Sequence, residues 1–216
     1  MLYNKYQPRV WADIVGQDKA VKVAKRAIER DGFDRGAFWI ECSGANNSGV
    51  GKSSLANVIA NELAGDFFII HLSGADCDKK AVKKIEQDGS LTTWCDKPYR
   101  VWIIDEAHAI SSGAIDAFLT LLEHLPKHCV IIFTTTRKAD EGLFGSDCGA
   151  FASRVLPLKL TNQGLAKPFA KRVQEIAKAE NLDGRPIKEY IKLIQDCKNN
   201  MRLALQRVYA GEMIED

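Results

Sequence analysis

The sequence lacks the features of a membrane, secreted or disordered chain. No apolar run in its 216 residues approaches the roughly eighteen that a membrane span needs. The start, Met1-Leu2-Tyr3-Asn4-Lys5, has no apolar stretch of a secretory signal, so the chain is expected in the cytoplasm or nucleus and away from membranes. Neither sign of charge dominates: 30 Lys and Arg stand against 28 Asp and Glu, a net charge of +2. That balance excludes a protein that grips nucleic acid with its whole surface, and any DNA contact must come from a local patch. The 6 cysteines include no CxxC pair and read as reduced thiols, with neither a zinc site nor a disulfide framework indicated. Internal repeats and low-complexity segments are also missing. What is present, 46% hydrophobic and 27% charged residues, is the composition of a globular chain with one full-sized core and room for a small second domain.

Short apolar runs at 37–41, 67–72, 101–104, 130–134 and 155–160 alternate with helical or polar sequence, beginning with an amphipathic helix over Gln17 to Glu29. Apolar runs of this length without alternation suit strands buried on both faces. Strands alternating with helices predict an α/β fold with a parallel, doubly wound five-stranded sheet. After Leu160 the strand signal stops, and helices are expected over 161–179, 187–197 and 201–210, the first capped by Thr161. Gly184 and Pro186 mark a break between the first two. The expected organisation is an α/β core over 1–160 and a small helical lid over 161–216.

Between the first predicted strand and the following helix lies Asn47-Ser48-Gly49-Val50-Gly51-Lys52-Ser53-Ser54. A Walker A phosphate loop belongs at that position. Its glycines let successive backbone N–H groups turn towards phosphate oxygens, and the helix that follows adds the positive end of its dipole. Lys52 would reach the β- and γ-phosphates and the Ser53 hydroxyl would ligate magnesium. In the strict motif the first glycine falls on Asn46, which tolerates positive φ; alternatively Ser43-Gly44 begins a loop with two inserted residues. A second, independent motif is Val101-Trp102-Ile103-Ile104-Asp105-Glu106, an apolar strand ending in two acids. In this Walker B reading Asp105 holds magnesium through water and Glu106 polarises the attacking water, both delivered at the carboxyl end of a parallel strand. His108 reads as a structural neighbour rather than a catalyst.

These motifs are accompanied by others. The opening Tyr3-Asn4-Lys5-Tyr6-Gln7-Pro8, followed by Asp13-Ile14-Val15-Gly16-Gln17, resembles the start of clamp-loader ATPase subunits of the AAA+ class, the replication factor C small subunits and the bacterial polymerase III tau/gamma subunit. Asp105-Glu106-Ala107-His108, the stretches 114–123 and 126–136, Ser153-Arg154-Val155 and Asn200-Met201-Arg202 are similar to that family's motifs and stand in its order. The resemblance implies ATP and magnesium as ligands and further roles for named residues. Tyr6, Pro8, Val15, Gly16 and Gln17 would line the adenine pocket. Thr136, or less favourably Thr135, would be sensor 1, and Arg202 would be sensor 2, reaching from the lid to the phosphates. Arg154 would be an arginine finger acting in trans on a neighbour's site, in a ring or spiral oligomer with other clamp-loader subunits. Gln7 stands where the family has arginine, Thr136 where it has Asn or Asp, and the loop between Thr136 and Arg154 is longer. The family's helical collar and the zinc module of its bacterial members have no counterpart in these 216 residues, which suits a minimal version, such as a viral one, or a piece ending before the collar.

Lys79, Lys80, Lys83 and Lys84 fall at i, i+1, i+4 and i+5 on a predicted helix, one face that would suit successive DNA phosphates or stand simply solvated. The family's matching helix faces DNA. The expected function is a replication ATPase that couples ATP binding and hydrolysis to loading a sliding clamp on primed DNA, in the cytoplasm near the nucleoid or in a nuclear or viral replication setting. The rivals are a related DNA motor or helicase-loading initiator, and a nucleotide-sensing structural subunit. Intact Lys52, Ser53, Asp105 and Glu106 weigh against the last.

Overall fold

A computed structural model describes residues 1–43, 48–91, 93, 96–136 and 148–214. Its centre is the parallel sheet that the apolar runs predict. The strands β1 (Gly36–Ser43), β2 (Ile69–Ser73), β3 (Arg100–Asp105), β4 (Cys129–Thr134) and β5 (Leu156–Thr161) lie in the order β2-β3-β4-β1-β5 with every pairing parallel. Side chains alternate between the faces, and both faces are covered, so both must be apolar. On one face α2 (Asp18–Ile28) and α3 (Lys52–Leu63) pack against Phe38, Ile40, Val101, Ile103, Val130 and Ile132. Helix α3 buries Leu55, Ala56, Val58, Ile59, Ala60 and Leu63, which leaves little of it free to tilt. The other face, with Trp39, Trp102, Ile104, Ile131 and Phe133, is covered by α4 (Lys79–Gly89), α5 (Ser112–Glu123) and α6 (Cys148–Ala152). Phe151 roots α6 in this core, its ring centroid 5.4 Å from Trp39 and 5.1 Å from Phe133 in edge-on contacts. Such contacts contribute about 0.5–1.5 kcal/mol each beyond simple burial.

A third cluster gathers α7 (Ala166–Ala179), α8 (Ile187–Asp196) and α9 (Met201–Tyr209) around Phe169, Val173, Tyr190, Ile194, Leu205 and Val208. Leu2, from a short helix α1 (Leu2–Lys5) that no sequence signal announced, is buried in the same cluster. Lys5 Nζ and Tyr6 Oη both donate to Glu180 Oε1, at 2.5 Å, and so tie the N-terminal segment to the end of α7.

One boundary differs from expectation. Thr161 does not cap α7; it ends β5, and the helix starts at Ala166 after Leu165. The reason is local: the backbone N–H of Thr161 donates to Gln17 Oε1 at 3.0 Å and its carbonyl accepts from Gln17 Nε2 at 2.9 Å, so an outside side chain holds Thr161 as a strand residue. Burial pushes the thiols of Cys77 and Cys129 up to about 11, which keeps both protonated and unreactive. Among the described residues no helix is long and apolar enough to cross a membrane.

Candidate functional site

The carboxyl ends of β3 and β4 and the segment 48–54 open into a cavity of about 590 Å³, with the N-terminal segment on one side and α7 and α9 on another. Strand order assembles it. β4 lies between β1, which leads into the phosphate loop, and β3, which ends in the two acids. Asp105 Oδ1 accepts a hydrogen bond from Ser53 Oγ at 3.2 Å and another from Thr134 Oγ1 at 2.7 Å. A carboxylate and two hydroxyls, all hard oxygen donors, suit magnesium, which takes few protein ligands and keeps several waters.

Lys52 is the first residue of α3, capped by Gly51 in the left-handed region at φ 105. Its ammonium therefore sits where the first N–H groups of the helix have no partner within the helix. Burial holds this ammonium below its ordinary lysine value; Cys42 and Asp105 pull the other way and Arg202 adds to the depression. A polyanion in the cavity would offset both the cost of burying the ammonium and the repulsion from Arg202, as a phosphate group would.

Two glycines are needed because other groups come close, the Asn200 side chain at one and backbone at the other. A Cβ on Gly49 would lie 2.0 Å from Asn200 Oδ1, and the carbonyl of Gly49 accepts from the N–H of Met201 at 3.2 Å. The phosphate loop thus touches the start of α9 directly. A Cβ on Gly74 would lie 2.3 Å from the carbonyl oxygen of Glu106, whose φ of 54 is itself unusual for a residue with a side chain. Functional sites often hold such backbone.

Tyr6, Pro8, Val15, Gln17, Ser48, Gly49, Val50, Gly51, Lys52, Ser53, Ser54, Asp105, Glu106, Thr136 and Arg202 all line the cavity. Asn47, with Gly44 and Asn46, lies outside the described residues. Gly16 is not among the lining residues; its backbone packs against the side chain of Leu165. Gln17 reaches the wall with its amide already engaged, its Nε2 donating to the carbonyls of Val50 and Thr161. It joins the phosphate loop to β5, which leaves little capacity for reading a base. His108 stands behind the wall, Nδ1 3.5 Å from Thr135 Oγ1. Arg154 does not line the cavity, and neither do Lys79, Lys80, Lys83 and Lys84. Arg154 donates to the carbonyl of Ala150 at 2.5 Å and to the carboxylate of Glu123, which it holds below its ordinary value by that hydrogen bond.

Sequence reasoning missed Thr134, His71, Tyr3 and Arg172, all of which line the cavity. Thr134 had a usable signal as the last residue of an apolar run beside Asp105's strand. The others are brought in by packing alone.

The model of the ATPase family associated with various cellular activities (AAA) matches residues 45–143. Among curated proteins, the DNA polymerase III subunit tau of Bacillus subtilis is 28% identical over 157 residues, covering 62% of this chain and 27% of that protein. The gamma/tau subunit of Mycoplasma pneumoniae is 25% identical over 198 residues, 79% of this chain and 28% of the relative. The chain thus spans about a quarter of the length of the curated relatives it matches. Among solved structures, the Thermotoga maritima RuvB Holliday junction branch migration motor superposes with a TM-score of 0.72 at 20% identity, over 94% of this chain and 64% of that one. That likeness is one of fold. With the phosphate loop, the paired acids and the sheet order in place, residues 45–143 match the AAA ATPase family, the fold is shared with RuvB, and the chain is similar in sequence to the tau and gamma subunits of DNA polymerase III.

Proposed function

We propose that this chain is a subunit of a replication ATPase that couples ATP binding and hydrolysis to loading a sliding clamp on primed DNA, with other clamp-loader subunits, in the cytoplasm. The carrying observation is one cavity lined by Lys52, Ser53 and Asp105, with Ser53 Oγ donating to Asp105 Oδ1, joined to sequence similarity with polymerase III tau and gamma subunits. In this reading the loop from Ser48 to Ser54 cradles the phosphates and Lys52 reaches their outer oxygens. Ser53 and Asp105 hold magnesium, which when bound neutralises charge between the β- and γ-phosphates. Glu106 takes a proton from the attacking water. Thr136 orients that water and Arg202 reads the outermost phosphate. Residues 161–216 act as a lid, with α1 packed among its helices. The base lies against Tyr6, Pro8 and Val15.

The DNA contact assigned to α4 rests on charge and exposure. Lys79, Lys80, Lys83 and Lys84 are exposed while Val82 and Ile85 face the core, and none of the four lysines makes an ion pair among the described residues. Each lysine that neutralises a duplex phosphate contributes about −0.9 to the slope of log K against log salt. Replacing the four by Ala should weaken DNA binding and flatten that slope without altering ATP affinity. An unchanged slope returns the helix to an ordinary solvated face.

The function as a whole is tested by ATPase activity with and without primed DNA and a candidate clamp, with the oligomer measured by light scattering. Synergy between DNA and clamp is expected. A response to DNA alone favours a motor instead.

A further inference from the structure

We infer that Tyr3 is a positioning residue for Arg202, holding its guanidinium at the mouth of the phosphate cavity against the face of its ring. The inference rests on the reading of Arg202 as the residue that senses the outermost phosphate. Arg202 is exposed and, among the described residues, makes no hydrogen bond or ion pair; its Cζ lies 5.2 Å from the centroid of the Tyr3 ring. A guanidinium over an aromatic face is held by the ring's quadrupole.

Both partners are fixed at their roots. The backbone before Arg202 is pinned to the phosphate loop by the Met201 N–H on the carbonyl of Gly49, and Asn200 Oδ1 caps α9 by accepting from the N–H of Leu203 at 3.1 Å. The Tyr3 ring is held from both sides of the chain. Leu2 before it is 4% exposed within the C-terminal helical cluster, and Lys5 and Tyr6 after it are bonded to Glu180. With both backbones held, the flexible element between them is the long arginine side chain, which is costly to order in solvent. The ring removes part of that cost before nucleotide arrives. Arg202 and Lys52 line the same cavity, which places the guanidinium within reach of the same phosphates.

The test is calorimetry on the intact chain with ADP and with a non-hydrolysable ATP analogue, reporting the ratio of the two affinities. Because only the analogue carries the γ-phosphate, a lost sensing contact lowers the ratio, whereas a merely loosened fold weakens both nucleotides together. Tyr3→Leu is expected to lower the ratio about two- to fivefold, the range for an exposed cation–π contact. Tyr3→Phe, which keeps the ring, should restore it. In an Arg202→Ala background, Tyr3→Leu should have no further effect. Should Tyr3→Leu melt early, Tyr3→Met supplies the same comparison. An unchanged ratio in Tyr3→Leu, or the same drop persisting in the Arg202→Ala background, overturns the inference. A normal ratio in Arg202→Ala alone rejects the sensing role of Arg202 itself, and with it the role of Tyr3.

Discussion

Replacement of Glu106 by Gln is expected to leave ATP bound and to slow its hydrolysis by at least tenfold. Glu106 lines the cavity just after Asp105, at the carboxyl end of β3. Gln has the same length and keeps a carbonyl oxygen that can accept a hydrogen bond. It loses the negative charge and the basicity that draw a proton from water, and positioned proton transfer contributes typically 10²- to 10⁴-fold. The unusual backbone should survive, because the conformation at φ 54 is supported by the open space that Gly74 leaves beside the Glu106 carbonyl, and the substitution touches neither. Affinity measured by calorimetry and hydrolysis measured in a single turnover separate the two effects. Turnover close to that of the unaltered chain would remove Glu106 from the chemistry.

A still larger loss is expected from Arg154→Ala if this residue serves a neighbouring subunit, as the resemblance to clamp-loader subunits implies. A guanidinium set against the transferred phosphate stabilises charge that grows in the transition state, and such a finger is worth roughly 10³ to 10⁵ in rate. Arg154 sits outside its own cavity, after a helix rooted in the core by Phe151 and with its guanidinium on Ala150 and Glu123. In this state the residue is half-buried and engaged by its own chain, so a role in trans requires the guanidinium to leave these partners. Mixing decides between a role in cis and one in trans. Arg154→Ala retains an intact cavity and Lys52→Ala retains an intact finger, and neither should hydrolyse ATP well alone. Together they form interfaces at which a sound cavity faces a sound finger, so activity should rise above the sum of the separate chains. No recovery, with co-assembly established by light scattering at the same concentration, rejects the trans role. Releasing Arg154 towards a neighbour breaks a partly exposed ion pair with Glu123 and the bond to the Ala150 carbonyl.

Much of this was legible before any coordinates, and the reasons are local. The strands were readable because a sheet covered on both faces needs continuous apolar runs, as at 101–104 and 130–134. That Lys52, Ser53, Asp105 and Glu106 share one cavity was readable because a strand-to-helix loop and a strand end both fall at the carboxyl edge of a parallel sheet. The start of α7 was misread because its competitor for Thr161, the amide of Gln17, is 144 residues away in sequence. Gly16 and Gln17 were expected at the base, yet one packs on Leu165 and the other is engaged by backbone carbonyls. Neither partner leaves any mark near residues 16 and 17.

By itself the sequence determined the class of fold, the phosphate loop, the acidic pair and the face of four lysines, since each depends on residues a few positions apart along one strand or helix. Only the tertiary structure decided that β4 stands between β1 and β3, which brings Thr134 to Asp105. It also decided that the N-terminal helix packs with the last three helices and presents Tyr3 to Arg202, 199 residues apart in the chain. Such contacts follow from which apolar surfaces bury one another, and that is a property of the whole packed chain rather than of any segment of it.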